Sequence, residues 1–475
     1  MRFSKILFAI LFLTFFNTKA QENQFISKIF EYNPAPGQFI NTAFGFPYSA
    51  QTIIGGIQGG VTLGAFGGYI VVGFDNPVEN NPDNPYGIDF TVFGNAWENS
   101  KEPAAVYVMK DENNNGLPDD TWYLLAGADY WFDTSVKNYE ITYYNPGGNI
   151  AKNVYWDDNN GNTGIIPANE YHTQPYYPLH DSFPDIPENS YTLRGIKIID
   201  RLDTSNISFI TSGNYPFGFA DNMKRNINYS GWEPDNPYTK TIEGTGGDAF
   251  DISWAVDSNG NYIELDKINF IKIQTAVNKV AGWLGELSSE VTGIVDVNPD
   301  AELTGEAKLL VIQPVSKKIK QGKQIQLQAF AFLYGKLQKN KNIIWTSSDN
   351  TVIEIDNNGL LTAKAAGSCS IIAHREQYPQ IKDSIEIKVI VPDKVNIQGV
   401  DENIIIYPNP VSDKLFIKGV ENNTKFVVFD ITGKVVNIGI LQNNYVSTNN
   451  LPEGMYVIKI FIKEKVIQKK FIVNP

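Results

Sequence analysis

YIVVGFDNPVENNPDNPYGIDFTVFGNAWENSKEPAAVYVMK, residues 69–110, is the stretch that decides the fold class. Three runs within it, YIVVGFD, DFTVFGN and AAVYVMK, have the length and the β-branched and aromatic content of strands. Between them stand Asn, Asp, Pro and Gly, which form turns through side-chain bonds to backbone and through special φ values. The same alternation recurs outward, in YEITYYN at 139–145 and NFIKIQTAV at 269–277. Long runs with apolar residues at helical spacing are missing. The chain reads as all-β, with a jelly roll or large β-sandwich over residues 21–300 and two small sandwiches after it.

The ends of the sequence speak to location. Arg2 and Lys5 precede an apolar run at 6–16, and the stretch closes on Thr18-Lys19-Ala20. That is the charged, apolar and small-residue order of a secretory signal over residues 1–20. The run is too short to cross a bilayer, which takes roughly 20 residues, and no later segment reads as transmembrane. The formal charge of −13 becomes more negative once that segment leaves. Such a surface repels nucleic acid, and no basic patch with interleaved aromatics offsets it. A single cysteine, Cys369, excludes an internal disulfide, and its setting in SCSIIAH reads as a buried strand position.

Two resemblances follow from motifs. IIWTSSDNTVIEIDNNGLLTAKAAGSCSIIA, residues 343–373, resembles the bacterial immunoglobulin-like group 2 domain, with Trp345, Gly359 and Gly367 at the expected places. The resemblance implies an immunoglobulin-like spacer or adhesion module over 305–391. Trp345 should fill the space between its sheets, and Asn358-Gly359 should form a tight hairpin turn. Beyond a linker at 392–403, the last region reads YPNPVSDKLFIKG, FDITGKVV, NLPEGMYVIKIF and KKFIVNP. It resembles the sorting domain (type A) of Bacteroidota type IX secretion cargo. That implies a second immunoglobulin-like sandwich over 404–475, a partnership with the type IX secretion machinery, and export to the cell surface or medium after passage through the periplasm.

The sharpest chemical signal is DENNNGLPDD at 111–120. Oxygen-bearing side chains fall at loop positions 1, 3, 5 and 9, with glycine at 6 and a backbone carbonyl at 7. Ca²⁺ takes six to eight oxygens, and this alternation turns every second side chain inward. The expected ligands are Asp111, Asn113, Asn115, the Leu117 carbonyl and Asp119, with Ca²⁺ as a structural ion. Position 12 is Trp122, which cannot ligate, so Asp120, Asp129 or a distant residue would complete the shell; the alternative is a solvated hairpin tip. DDNNGN at 157–162 and DSNGN at 257–261 are weaker versions of the same composition. His172 and His180 stand eight apart without a supporting ligand pattern.

Residues 21–300 hold every tryptophan except Trp345. Trp97, Trp156 and Trp232 adjoin polar loop signals and are the candidates for exposed, ligand-stacking rings, against core packing for the others. No Gly-x-Ser-x-Gly, His-Glu-x-x-His or phosphate-loop motif is present, and no catalytic residue is assigned. Glu98, Glu102, Asp181, Asp185 and Glu188 leave a glycan-active hydrolase as an alternative, since a sugar cleft needs two carboxyls at a set separation. The stretches GGYIVVGFDNPV, YGIDFTVFGNAW, FDISWAVD and AGWLGE also resemble cell surface proteins of Bacteroidota. That likeness implies a non-catalytic binding role toward a glycan or a nutrient such as a cobalamin, with an outer-membrane receptor as partner. A structural or adhesive surface protein is the other alternative.

Overall fold

In a computed structural model the described residues are 23–204, 206, 209–339, 342–391, 404–431, 434–462 and 465–474. The expected signal segment at 1–20 and the expected linker at 392–403 lie outside them. The architecture is all-β; the one α-helix among the described residues is Pro47–Gln51. The residues fall into two compact units, divided between Val389 and Ile390.

The first unit is built around a six-stranded antiparallel sheet in the order Lys28–Asn33, Tyr69–Glu79, Lys267–Thr275, Ala104–Met109, Tyr123–Leu125, Ala255–Val256. A three-stranded sheet, Asp248–Phe250, Phe90–Phe93, Gly293–Asp296, shares its core. Val72, Val106, Val108 and Ile271 of the first meet Phe90, Val92 and Ile294 of the second. This is a sandwich, and its inward positions are near-continuous apolar runs because the central strands are covered on both faces. VVGF, FTVF and AAVYVM carry that pattern in sequence. A four-stranded sheet, Ser190–Lys197, Val136–Tyr144, Val154–Asp158, Thr163–Ile166, forms a second core rich in tyrosine, with Tyr139, Tyr143, Tyr176 and Tyr177 almost fully buried. Their hydroxyls find partners: Tyr143 donates to the Phe66 carbonyl at 2.9 Å and Tyr177 to the Pro187 carbonyl at 2.6 Å.

The 305–391 region forms its own core around Trp345, Ile353, Leu361, Ile371 and Ile387. Asp356 caps the turn by accepting from the Asn358 and Leu360 amides, both at 2.8 Å. Gly359 sits at φ 81, and a side chain there would come within 2.8 Å of the Leu327 carbonyl and 3.1 Å of the Trp345 ring. Cys369 is 2 % exposed, and its Sγ lies 3.0 Å from the Ser347 hydroxyl.

This region is also joined to the sandwich before it. Ala307, Val311 and Phe332 belong to the sandwich's core. Phe332 meets Phe217 edge-on at 5.1 Å, Phe330 lies 5.3 Å from Phe132, and Gln328 exchanges hydrogen bonds with Asp133 at 2.6 and 3.1 Å. Aromatic contacts of this kind stabilise beyond the area they bury.

The second unit comprises a three-stranded sheet, Ile405–Tyr407, Lys414–Lys418, Tyr445–Ser447, and a four-stranded sheet, Val435–Ile440, Lys425–Asp430, Gly454–Ile462, Lys465–Val473. Leu415, Ile417, Val428, Ile458, Ile460 and Phe471 close its core. Exposed and buried positions alternate along Lys414–Lys418, the period of two expected of a strand with one face in water.

Candidate functional site

The 111–120 loop joins strands Ala104–Met109 and Tyr123–Leu125. Asp111 accepts from the Asn115 amide at 3.1 Å and the Gly116 amide at 2.8 Å, one oxygen for each. Asn113 accepts from the same Asn115 amide at 2.9 Å, and Asn115 from the Leu117 amide at 2.7 Å. Asn114 and Gly116 take left-handed φ values of 57 and 73, which curls the chain around these side chains. The Asp119 carboxylate closes the ring, receiving the side-chain amides of Asn113 at 3.1 Å and Asn115 at 2.9 Å. Four of the five expected ligand residues thus converge through their side chains; Leu117 follows in the same turn. Asp120 joins the loop by accepting from the Glu112 amide at 2.9 Å. Asp129 does not: it is fully buried and paired with Arg201 at 2.8 Å.

The two weaker loops are simple turns. Asp158 accepts from the Asn160 and Asn162 amides, and Asp257 from those of Asn259 and Asn261, all within 3.0 Å. His172 packs its ring on Phe39 at 4.8 Å, while His180 faces the Ile186 carbonyl at 3.3 Å.

A second constellation lies inside the sandwich, and only its Glu102 is among the acids singled out from sequence. Glu102, Asp221 and Glu290 have carboxylate oxygens within 4.8 Å of one another, the one such set of three acidic or metal-ligating side chains among the described residues. Asp221 holds a left-handed φ of 55 and is fully buried; one oxygen accepts from the Asn95 amide and the other from the Glu290 amide, each at 2.9 Å. Glu102 accepts from the Ser288 amide at 3.2 Å, and Glu290 from the Thr62 hydroxyl at 2.9 Å. Burial first, then Asp221, pushes Glu102 up to about 8. Burial likewise pushes Asp221 up to about 7 and the neighbouring Glu286 up to about 7. Loss of water disfavours each anion, and backbone N–H donors recover only part of that cost.

This buried set braces an exposed ring. Trp97 is 73 % exposed on the 94–103 loop. The loop is pinned at one end by the Asn95–Asp221 bond and at the other by the Glu102 amide, which donates to the Asp221 carbonyl at 3.2 Å. Glu98 pairs with Lys224 at 3.7 Å, tying it to the loop that carries Trp232. Trp232 itself is half-buried, edge-on to Phe25 at 5.3 Å with the Arg225 guanidinium 5.8 Å from its ring. Trp156, also half-buried, lies on the four-stranded sheet with its ring against Gly164. The three rings therefore do not form one platform; Trp97 and Trp232 occupy adjacent loops, and Trp156 belongs to another sheet. Of the acids considered for glycan hydrolysis, only Glu102 enters the carboxylate set; Glu98, Asp181, Asp185 and Glu188 are exposed.

Comparison with known proteins identifies two of the regions. Residues 405–474 match the secretion system C-terminal sorting domain. Residues 309–380 match the bacterial Ig-like domain (group 2). The sorting domain makes this an exported protein, handled by the type IX secretion machinery and delivered to the cell surface or extracellular space. No described helix is long and apolar enough to cross a membrane. No curated protein sequence matches the chain. Among solved structures the chain is similar to an intimin mutant of EHEC O157:H7 (16 % identity, 21 % of this chain and 51 % of that one, TM-score 0.14). It is also similar to domains 4 and 5 of the S-layer protein SbsC (21 %, 32 % and 82 %, 0.15) and to extracellular domains 3–5 of Drosophila OTK (10 %, 45 % and 82 %, 0.19). The chain thus spans about half the length of the intimin chain.

Proposed function

We propose that this exported protein is a non-catalytic binding protein, stiffened by calcium at the 111–120 loop, that presents the Trp97 loop to a glycan or a corrin-like nutrient at the cell surface. The observation that carries the reading is Trp97 itself. A tryptophan held 73 % exposed on a loop anchored at one end to the Asp221 carboxylate and at the other to the Asp221 backbone carbonyl is a large apolar face kept in place rather than left to collapse. Aromatic rings so placed stack on the apolar faces of sugars and of planar ring systems. The calcium part rests on the order of oxygens at Asp111, Asn113, Asn115 and Asp119, and Leu117 would add its carbonyl. Trp232 and Trp156 take lesser roles, Trp232 as the neighbour of the Trp97 loop. Binding without turnover also fits the scattering of the exposed acids.

The test is a titration of the mature protein, with calcium present, against glycans and corrinoids, read by tryptophan fluorescence with product analysis alongside. Saturable binding of unchanged ligand, lost in Trp97→Ala, supports the reading. Released product would favour a hydrolase, and binding that survives Trp97→Ala would remove the loop from the account.

A further inference from the structure

A cleft of about 400 Å³ lies between the 80–87 loop, the 300–307 segment that leads into the Ig-like region, and Tyr334. Two of its walls are in unusual backbone states. Tyr86 has φ 56 and Tyr334 has φ 47. Left-handed φ is open to glycine and tolerable for Asn and Asp, but a bulky side chain there is a genuine outlier. Among the described residues eight non-glycine positions have positive φ; six are Asn or Asp, and the other two are these tyrosines. Both line this one cleft, although they are far apart in sequence. At Tyr334 the left-handed φ belongs to the two-residue turn Tyr334-Gly335, which joins the paired positions Leu333 and Lys336 and fixes the tyrosine at the tip facing the cleft lining. The Tyr334 backbone is indeed held, by the Trp254 indole donating to its carbonyl at 3.1 Å.

The rest of the lining is mostly polar. Asn84 lines the cleft and is only 6 % exposed. Its amide nitrogen donates to Asp89 at 2.7 Å, while its buried side-chain oxygen has no partner. The lining holds no Lys, Arg or His, but it does hold Asp83, Asp251, Asp300 and Glu306. Anionic ligands are therefore repelled. Several of these carboxylates already accept backbone N–H bonds: Asp251 from Ser253 at 2.7 Å, Asp300 from Glu302 at 3.0 Å and Glu306 from Lys308 at 2.8 Å. They are partly compensated acceptors with lone pairs to spare, which suits hydroxyl donors better than a bare cation.

We propose that this cleft is a saccharide site, which takes one or two pyranose units of a glycan with ring faces against Tyr86 and Tyr334 and hydroxyls donating to the acidic wall. It rests on the reading of the chain as a binding protein, but not on the Trp97 loop. The test is calorimetric titration of the mature full chain with the methyl glycosides of glucose, galactose, mannose and N-acetylglucosamine, with spermidine as a cationic probe. At least one glycoside should bind saturably. Tyr334→Gly should weaken that binding at least tenfold while leaving Tm unchanged, since glycine accepts the left-handed φ and the lost ring is half exposed. Tyr334→Phe should retain it. Absence of saturable glycoside binding, binding of spermidine in its place, or glycoside binding indifferent to Tyr334→Gly overturns the proposal. Trp97→Ala separates the two sites: glycoside binding that survives it supports the cleft. Binding lost in Trp97→Ala and kept in Tyr334→Gly overturns the cleft and leaves the loop standing.

Discussion

The indole nitrogen of Trp254 donates to the carbonyl of Tyr334 at 3.1 Å, across the junction between the N-terminal sandwich and the Ig-like region. Trp254 is fully buried, and a side chain at Gly335 would come within 2.2 Å of its nitrogen. A module that serves as a spacer on a string does not supply the lid of its neighbour's core. Here the 329–337 hairpin does so, through Phe330, Phe332 and Leu333.

Truncating that lid should therefore unfold both regions together. Phe332 is 1 % exposed, and Phe332→Ala should cost about 3–5 kcal/mol by lost burial and cavity formation. Circular dichroism and tryptophan fluorescence should report one coincident, lowered transition. Two separate transitions, with the sandwich melting as before, would show the junction to be unimportant.

Calcium should raise stability through the 111–120 loop. An ion that binds only the folded state adds about 2.7 kcal/mol when its free concentration is a hundred times Kd. The wild type should melt higher in excess Ca²⁺ than in chelator, and Asp111→Ala and Asp119→Ala should lose the difference. Identical melting of the wild type in both conditions counts against the site.

The buried acids set a pH dependence of definite sign. Glu102 at about 8 and Asp221 and Glu286 at about 7 stand above their ordinary values. Between the ordinary carboxylate range and about pH 8 the folded chain keeps protons that the unfolded chain has released. Stability from these groups is complete below the ordinary range and is lost as pH rises to about 8. In chelator, Tm should fall from about pH 5.5 to 8, and Glu290→Gln, which removes a carboxyl that burial, Glu102 and Asp221 hold well above its ordinary value, should flatten the fall. A Tm that climbs across that window contradicts the assignment.

Export should depend on the last region. Deleting residues 392–475 should leave the protein in the periplasm of its native host, seen by fractionation and immunoblot. Unchanged surface or medium levels of the shortened chain would contradict the role of the sorting domain.

Strands were the legible part. YIVVGFD falls within Tyr69–Glu79, AAVYVMK covers Ala104–Met109, and NFIKIQTAV overlaps Lys267–Thr275, because local composition and turn chemistry decide where a chain extends. The convergence of Asp111, Asn113, Asn115 and Asp119 was legible for the same reason, as all four lie in one turn. Asp221 and Glu290 were not: their link to Glu102 comes from strand pairing between distant segments, which no spacing encodes. Tyr86 and Tyr334 each precede a glycine of positive φ, Gly87 and Gly335, but a tyrosine is an uncommon first residue for such a turn and does not mark it in sequence. Trp156 and Trp232 adjoin polar loops as read, yet both are half-buried, because Gly164 leaves a seat for one ring and Phe25 and Phe93 flank the other.

The seclusion of Cys369 beside Ser347 and Ser348 bears on the route outward. The periplasm is an oxidising compartment in which exposed thiols are paired, correctly or otherwise. A sequence with one thiol has no internal partner to be mismatched with, and in the folded chain that thiol is closed to a second molecule. Folding of this sequence therefore has no internal disulfide to form or reshuffle, and a reducing milieu outside the cell has no internal bridge in it to undo.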